Sequence, residues 1–193
     1  MDEVILEKVI FLDRDGVINY DSPDYVRSWD EFRFLPGSLE ALAALTRAGY
    51  TLILITNQAG VGRGIIPAPV LEDMHRRLRQ AVVEQGGRIF DIFHCPHRSD
   101  ENCGCRKPAP GMILEAAARH HIDTAGTVMI GDNAKDIACG LRAGCGATIL
   151  VRTGNGLQAQ EDLVGLGIQP AAVAADLLDA AGMILSGKVS ARA

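Results

Sequence analysis

The stretch Val9-Ile10-Phe11-Leu12-Asp13-Arg14-Asp15-Gly16-Val17-Ile18-Asn19 decides the fold of this chain. Its first four residues are apolar and predict a short strand buried on both faces, which is typical of a parallel sheet covered by helices. The strand runs directly into two aspartates, Asp13 and Asp15. Because ligands of open α/β sheets bind just beyond the carboxyl ends of the strands, these two carboxylates are the first candidates for chemistry.

Two carboxylates at this position suit phosphoryl transfer. A carboxylate that attacks phosphorus needs its repulsion with the anionic phosphate neutralised, usually by Mg²⁺, which prefers oxygen ligands. The reaction also needs an acid for the leaving group and a base for the attacking water. Asp13 as nucleophile and magnesium ligand, with Asp15 as acid and then base, would meet these needs. Taken alone, Asp-x-Asp-Gly is more often a turn or a strand-end cap.

Length and composition limit the other possibilities. A chain of 193 residues with 48% hydrophobic and 22% charged residues predicts one globular domain over residues 1–193. The net charge of −5 argues against a nucleic-acid partner. No apolar run is long enough for a transmembrane helix, and the acidic N-terminus is unlike a signal peptide. We therefore expect a cytoplasmic protein without a membrane partner, and a monomer because no surplus amphipathic helix is evident.

Strand and helix patterns alternate along the chain, which predicts a doubly wound, mostly parallel α/β sheet. The predicted strands are 9–12, 51–56, 89–94, 127–131 and 147–151. The predicted helices follow an N-cap at Ser38 and then cover 67–84, 110–120, 136–143 and 171–185. Residues 20–34 and the glycine-rich residues 57–64 are predicted to be loops.

Polar residues follow four of these strands, so the fold can collect them at one edge of the sheet. Thr56 and Asn57 can donate hydrogen bonds to phosphoryl oxygens, and Lys107 can offset negative charge. Asp132 can complete a magnesium shell, and Asp136, which lies one helical turn after Asp132, can orient Lys107. Each residue has a structural interpretation too: Thr56 as a helix cap, Lys107 as a surface charge and Asp132 as a turn residue. Their joint order at successive strand ends favours a catalytic site.

Cysteine and histidine cluster in the loop 95–105. Cys95, His97, Cys103 and Cys105 form the pattern Cys-x-His-x5-Cys-x-Cys, and three thiolates with one imidazole suit a closed, tetrahedral structural Zn²⁺ site. We expect this site to stiffen the loop that ends in Arg106 and Lys107.

The ordered set of motifs resembles the haloacid dehalogenase superfamily of aspartyl-phosphate phosphohydrolases over residues 8–152. The motifs are Asp13-Arg14-Asp15-Gly16-Val17, Thr56, Lys107, and Gly131-Asp132 with Asp136. The resemblance implies Asp13 as nucleophile, Asp15 as acid/base and as a metal ligand through its backbone carbonyl, and Asp132 as Mg²⁺ ligand. It also implies a capless fold with an open site.

Within that superfamily, the metal loop followed by Arg-Lys-Pro resembles the histidinol-phosphatase subgroup, which includes heptose-bisphosphate and histidinol-phosphate phosphatases. Residues 56–64 are more similar to the heptose branch, whereas the short metal loop is also similar to the histidinol branch. The resemblance implies a sugar-phosphate substrate, in nucleotide-heptose synthesis for the heptose branch. The expected substrate contacts are Asp21, Thr56, Asn57, Gln58, Arg63, Arg106, Lys107 and Asn133. At Asn133 the chain departs from relatives that carry a basic residue there.

Two alternatives from other classes remain open at this point. A zinc-stapled binding module descended from a phosphatase would need no catalysis, although all four motif residues are present. A regulator that receives phosphate on Asp13 would suit the strand–helix alternation, but it would leave Asp15 and the zinc loop without a purpose.

Overall fold

A computed structural model describes residues 6–191, which form one six-stranded sheet flanked by helices. All neighbouring strands run parallel, in the order β3-β2-β1-β4-β5-β6. The strands are β1 Val9–Leu12, β2 Thr51–Asn57, β3 Ile89–Cys95, β4 Val128–Gly131, β5 Ala147–Val151 and β6 Ala172–Ala174. The predicted doubly wound, parallel α/β fold is therefore confirmed.

The helices connect successive strands. They are α1 Ser38–Arg47, α2 Ala59–Gly62, α3 Ala68–Glu84, α4 Gly111–His120, α5 Ala134–Ala143, α6 Gly156–Gly165 and α7 Leu177–Leu185. Among residues 6–191 no helix is both long and apolar enough to cross a membrane.

Alternating side chains of each strand build two layers of core. In β1, Ile10 and Leu12 pack with α1, α3 and α7 on one face of the sheet, whereas Val9 and Phe11 pack with α4 and α5 on the other. All four side chains are at most 2% exposed. Because both faces are covered, the strand consists of apolar residues without the alternation of a half-exposed strand.

The structure corrects several sequence-based boundaries. Gly37, not Ser38, caps α1; it adopts a left-handed φ of 74°, which glycine does without steric cost. The predicted loop 57–64 contains the short helix α2. Two elements were missed: α6 follows β5, and residues 172–174 form strand β6 where one continuous helix 171–185 was predicted.

The sheet order fixes where a ligand can bind. β2 and β4 lie on opposite sides of β1, so the connections leaving the carboxyl ends of β1 and β4 diverge to opposite faces. Such a switch point opens a crevice at the sheet edge. The Asp13 and Asp132 segments both begin at that crevice.

Candidate active site

A cavity of about 330 Å³ opens at the carboxyl ends of β1 and β4. The Asp13 N–H donates to the carbonyl of Ile130 at 3.0 Å, which extends the pairing of the two strands into the site. Most of the predicted site residues line this cavity: Asp13, Asp15, Asp21, Thr56, Asn57, Gln58, Arg106, Lys107, Asp132 and Asn133. The structure therefore brings together residues that lie more than a hundred positions apart in the sequence.

Asp13 is held through one of its two carboxylate oxygens. Its Oδ1 accepts a hydrogen bond from the Arg14 backbone N–H at 2.7 Å and lies 2.8 Å from Lys107 Nζ. Burial raises the pKa of Asp13 well above its usual value; Lys107 opposes this effect, and the nearby carboxylates of Asp136 and Asp132 add to it. With Oδ1 engaged by two donors, Oδ2 accepts no comparable bond from any of residues 6–191.

Lys107 bridges two carboxylates in the interior. Its side chain is 2% exposed, and Nζ lies 2.8 Å from Asp13 Oδ1 and 2.7 Å from Asp136 Oδ1. Burial alone would lower the pKa of Lys107, but the attraction of Asp13 and Asp136 outweighs it and raises that pKa. Asn57 fixes the lysine backbone: its Oδ1 accepts from the Lys107 N–H at 3.0 Å, and its Nδ2 donates to the Lys107 carbonyl at 3.2 Å. Lys107 is therefore an internal cation, and its interpretation as a surface charge is wrong.

Asp132 lies in a cradle formed by two glycines. The Asn155 N–H donates to its Oδ2 at 2.7 Å. A Cβ atom at Gly16 or Gly154 would come within 2.2 Å of that same oxygen, so only glycine leaves room for the carboxylate. Burial, followed by repulsion from Asp136, raises the pKa of Asp132 to about 7.

The carboxylates of Asp13, Asp132 and Asp136 could hold a divalent cation. One oxygen from each lies within 4.8 Å of the others. Asp136 is already engaged by Lys107 and by the Asn133 N–H, which donates to its Oδ2 at 2.9 Å. Asp13 and Asp132 are the more available pair, and two carboxylates completed by water and phosphate oxygens suit Mg²⁺. The predicted orientation of Lys107 by Asp136 matches this geometry.

Asp15 is surrounded by hydrogen-bond donors. The Arg14 Nη2 donates to both of its oxygens at 2.9 and 3.0 Å, Asn19 Nδ2 donates to Oδ1 at 2.8 Å, and Gln58 Nε2 donates to Oδ2 at 2.8 Å. Burial alone would raise the pKa of Asp15, but the Arg14 charge and these hydrogen bonds hold it below its usual value. The side chain of Asp15 is therefore held away from the three carboxylates that surround the cation site.

Thr56 is buried at the end of β2 beside Gln58. Gln58 Nε2 donates to Thr56 Oγ1 at 2.9 Å as well as to Asp15, so the amide couples the β2 and β1 segments of the site. The segment after β2 is the short helix α2, which begins at Ala59.

Sequence reasoning missed several residues that line the cavity, among them Arg14, Ser22, Lys135 and Asn155. Lys135 follows the acidic motif closely and is a basic side chain on the cavity edge, two positions after Asn133. Asn133 itself caps α5, and its Oδ1 accepts from the Lys135 N–H at 3.1 Å. By contrast, the predicted substrate contact Arg63 is exposed and is not among the cavity-lining residues.

The four predicted zinc ligands converge on one point. The sulfur atoms of Cys95, Cys103 and Cys105 lie 3.1 to 3.5 Å apart, and His97 Nδ1 lies 3.2 Å from Cys105 Sγ and 3.6 Å from Cys95 Sγ. Zn–S bonds of about 2.3 Å in a tetrahedron place sulfurs roughly 3.8 Å apart, so a small expansion would admit the ion. Three thiolates and one imidazole could therefore bind zinc.

This cluster is connected to the active site. Arg106 directly follows it, and Arg106 Nη1 donates to the His97 carbonyl at 3.1 Å. Gly111 packs so closely against Gly104 that a Cβ there would meet the Gly104 carbonyl oxygen at 2.3 Å. The loop thus leads from the Cys/His cluster straight into Arg106 and Lys107.

Comparisons with known proteins place this site in context. The family model described as HAD-hydrolase-like matches residues 104–180. The chain is 47% identical over 149 residues to D-glycero-beta-D-manno-heptose-1,7-bisphosphate 7-phosphatase of Bordetella bronchiseptica, covering 77% of this chain and 83% of the relative. It is 44% identical over 150 residues to the protein of the same name from Pseudomonas aeruginosa, covering 78% of this chain and 84% of that one.

Solved structures agree with these matches. The D,D-heptose 1,7-bisphosphate phosphatase of B. bronchiseptica, complexed with magnesium and phosphate, superposes with a TM-score of 0.87 at 42% identity, covering 93% of this chain and 99% of that one. The corresponding phosphatase of Burkholderia thailandensis gives a TM-score of 0.70 at 36% identity with the same coverage.

Proposed function

This chain belongs to the haloacid dehalogenase-like hydrolases, in the family of the heptose-bisphosphate phosphatases, and we propose that it removes the 7-phosphate of D-glycero-D-manno-heptose 1,7-bisphosphate. The observation that carries the proposal is the joint placement of Asp13, Asp15, Lys107 and Asp132 around one cavity. The name of the relatives supplies the substrate. The reaction is hydrolysis of a phosphoric monoester.

In the first step, the Asp13 carboxylate attacks phosphorus, and the bond from phosphorus to the C7 oxygen of the sugar breaks. Asp15 donates a proton to the departing oxygen, which leaves as the sugar hydroxyl. An anionic phosphate beside Asp15 raises the pKa of that carboxyl on binding, which favours the protonated form that this step requires.

In the second step, water attacks phosphorus and the bond to Asp13 breaks, which releases inorganic phosphate. Asp15 takes the proton from the water, and the Arg14 charge that lowers its pKa favours the ionised form that a base must have. Thr56 and Lys107 stabilise the negative charge on the phosphoryl oxygens in both steps. Lys107 also favours the ionised form of Asp13, because its charge opposes the rise that burial causes in the pKa of that carboxyl.

We assign Mg²⁺ to Asp13 and Asp132, with the Asp15 backbone carbonyl as a further ligand. The ion supplies charge neutralisation for the anionic phosphate when it is bound. We assign Zn²⁺ to Cys95, His97, Cys103 and Cys105, where four protein ligands fill the coordination shell. Its role is then structural, and it positions the backbone that leads into Arg106 and Lys107.

The second phosphate of the substrate requires a further cationic contact. Arg106 lines the cavity and can bind phosphate through two parallel hydrogen bonds. Lys135 lies on the same cavity and supplies a positive charge near Asn133, where the chain lacks the basic residue of many relatives. Asp21, Asn57 and Gln58 complete the proposed substrate contacts, whereas Arg63 does not line the cavity and is not assigned. We place the reaction in cytoplasmic nucleotide-heptose synthesis for lipopolysaccharide or related glycans, carried out by a single-domain monomer.

The test compares kcat/KM for the heptose bisphosphate with that for histidinol phosphate in the presence of Mg²⁺. We expect a preference of at least about a hundredfold for the heptose bisphosphate, since two phosphates can engage Lys107 and Arg106 together. The Asp13→Asn variant, which keeps the shape of the side chain, is the control for contaminating phosphatases. Faster hydrolysis of histidinol phosphate would move the chain to the other branch of its subgroup.

A further inference from the structure

Arg14, the residue between the two catalytic aspartates, is among the largest fully buried side chains of residues 6–191, with 1% of its side chain exposed. Its guanidinium binds Asp15 through its Nε and Nη2 side: Nε donates to Oδ1 at 3.2 Å, and Nη2 donates to both oxygens. This geometry turns the remaining nitrogen, Nη1, away from Asp15. A buried guanidinium nitrogen without a partner is costly, so Nη1 needs an acceptor there.

That acceptor comes from helix α3. Nε2 of His75 lies 3.1 Å from Arg14 Nη1, and the imidazole is 8% exposed. The ring packs edge to face against His94 at 5.8 Å, and the Phe32 ring lies 5.8 Å from Arg14 Cζ. The rotation of the guanidinium is therefore fixed at both ends, by Asp15 and by His75.

The imidazole must be neutral to accept this hydrogen bond. Burial, followed by repulsion from the Arg14 charge, lowers the pKa of His75 to about 3. Nε2 then carries a lone pair toward Arg14 and the proton is on Nδ1. A protonated ring would instead set a second cation against the guanidinium.

We propose that His75 is a positioning residue for the acid–base step, acting through Arg14 on Asp15. Without an acceptor on α3, the guanidinium can rotate to use Nη1 on Asp15, and the carboxylate that must reach the leaving oxygen moves with it. His75 touches neither substrate nor metal in this account. The inference rests on the proposed phosphatase function, in which Asp15 protonates the leaving group.

The experiment uses leaving groups that differ in their need for a proton. An alkoxide leaves poorly unless Asp15 protonates it, whereas p-nitrophenolate leaves without help. We would measure kcat/KM for the heptose bisphosphate and for p-nitrophenyl phosphate in the holoenzyme and in two variants. His75→Leu removes the acceptor, and His75→Gln restores one, because the Gln Oε1 occupies nearly the position of Nε2.

We expect the loss of kcat/KM to depend on the leaving group of the substrate. His75→Leu lowers kcat/KM for the heptose bisphosphate by about 10- to 100-fold and that for p-nitrophenyl phosphate by less than about threefold, because general acid catalysis is worth about 10²–10⁴-fold in all. His75→Gln recovers most of the loss. The matched control is His120→Leu, which removes the part-buried hydrogen bond between His120 Nε2 and Asp91 Oδ2 at 2.8 Å, outside the cavity lining. This variant should leave the ratio of the two substrates unchanged.

Two outcomes overturn the inference. Equal losses with both substrates would mean that His75 supports only the fold. Unchanged kcat/KM values for both substrates in a folded His75→Leu protein would mean that Asp15 needs no such support. If His75→Leu does not fold, His75→Gln and His75→Asn replace it in the comparison of kcat/KM for the two substrates. The shorter Asn amide does not reach the Nε2 position, so His75→Asn should show the selective loss and His75→Gln should not. Failure of the wild-type enzyme to hydrolyse any phosphomonoester would refute the proposed function instead.

Discussion

Replacing Lys107 with methionine tests whether this lysine stabilises the folded protein by neutralising Asp13 and Asp136. Methionine keeps the length of the side chain but removes the charge that lies 2.8 Å from Asp13 and 2.7 Å from Asp136. The variant leaves two buried carboxylates facing each other without their cation. Removing one partner of a buried ion pair costs about 3–5 kcal/mol, so we expect the free energy of unfolding to fall by that amount.

The direction in which the Lys107 pKa is shifted determines the pH at which stability should be measured. The folded protein raises that pKa above its unfolded value of 10.5, so the stabilisation is fully present below that pH and is lost only at more alkaline pH. A denaturation experiment near neutral pH therefore measures the whole effect. In thermal unfolding, the loss corresponds to a decrease in Tm of about 10 °C for a domain of this size.

A double-mutant cycle makes the test specific to the ion pair. Asp136→Asn removes one of the two carboxylates that Lys107 neutralises, so the double variant should lose about 1–3 kcal/mol less than the sum of the single variants. The exposed Lys135→Met is the matched control and should change stability by less than about 0.5 kcal/mol. A Lys107→Met protein as stable as wild type, or a strictly additive cycle, would refute the argument that Lys107 bridges the two acids.

Three further predictions follow from other parts of the structure. Removal of zinc with a chelator should lower Tm and reduce kcat/KM, and Cys105→Ala should reproduce both changes; metal analysis of about one Zn²⁺ per chain checks the assignment. Arg106→Met should raise KM for the bisphosphate by about tenfold and hardly affect a monophosphate, whereas Arg63→Met should change neither value. Because the pKa of His75 is lowered from 6.5 to about 3, the unfolded chain takes up a proton there first as the pH falls. The free energy of unfolding should then decline by up to about 1.4 kcal/mol per pH unit below pH 6.5, and His75→Gln should flatten this slope in urea titrations.

Local sequence signals were sufficient for the central part of the fold. Buried strands such as Val9–Leu12 are continuous apolar runs, and such runs are typical of covered parallel sheets. Strand β6 was missed because Ala172–Ala174 is only three residues long and alanine has no strand preference; its pairing with Ile149 to Val151 defines it. Helix α6 begins and ends at glycine, a weak helix former, and its N-cap residue Asn155 makes no side-chain capping hydrogen bond within residues 6–191.

In the site, too, some residues could be predicted from the neighbouring sequence, whereas others are identified only by contacts in the folded chain. Asp13 and Asp132 were predictable because they directly follow apolar strands, which places them at the carboxyl edge of the sheet. Arg14 was passed over as the variable residue of its motif, since only the folded chain brings His75 close enough to accept its hydrogen bond. Arg63 was proposed as a ligand of the second phosphate because arginine can bind phosphate through two hydrogen bonds, but at the end of α2 it does not line the cavity.

The central claim is the identity of the phosphate that is removed. We would incubate the enzyme with Mg²⁺ and D-glycero-D-manno-heptose 1,7-bisphosphate and follow both ester phosphates by phosphorus-31 NMR. We expect the C7 resonance to disappear, inorganic phosphate to appear in equal amount, and the anomeric phosphate to stay intact. Loss of the anomeric phosphate, with the C7 ester retained, would contradict that expectation.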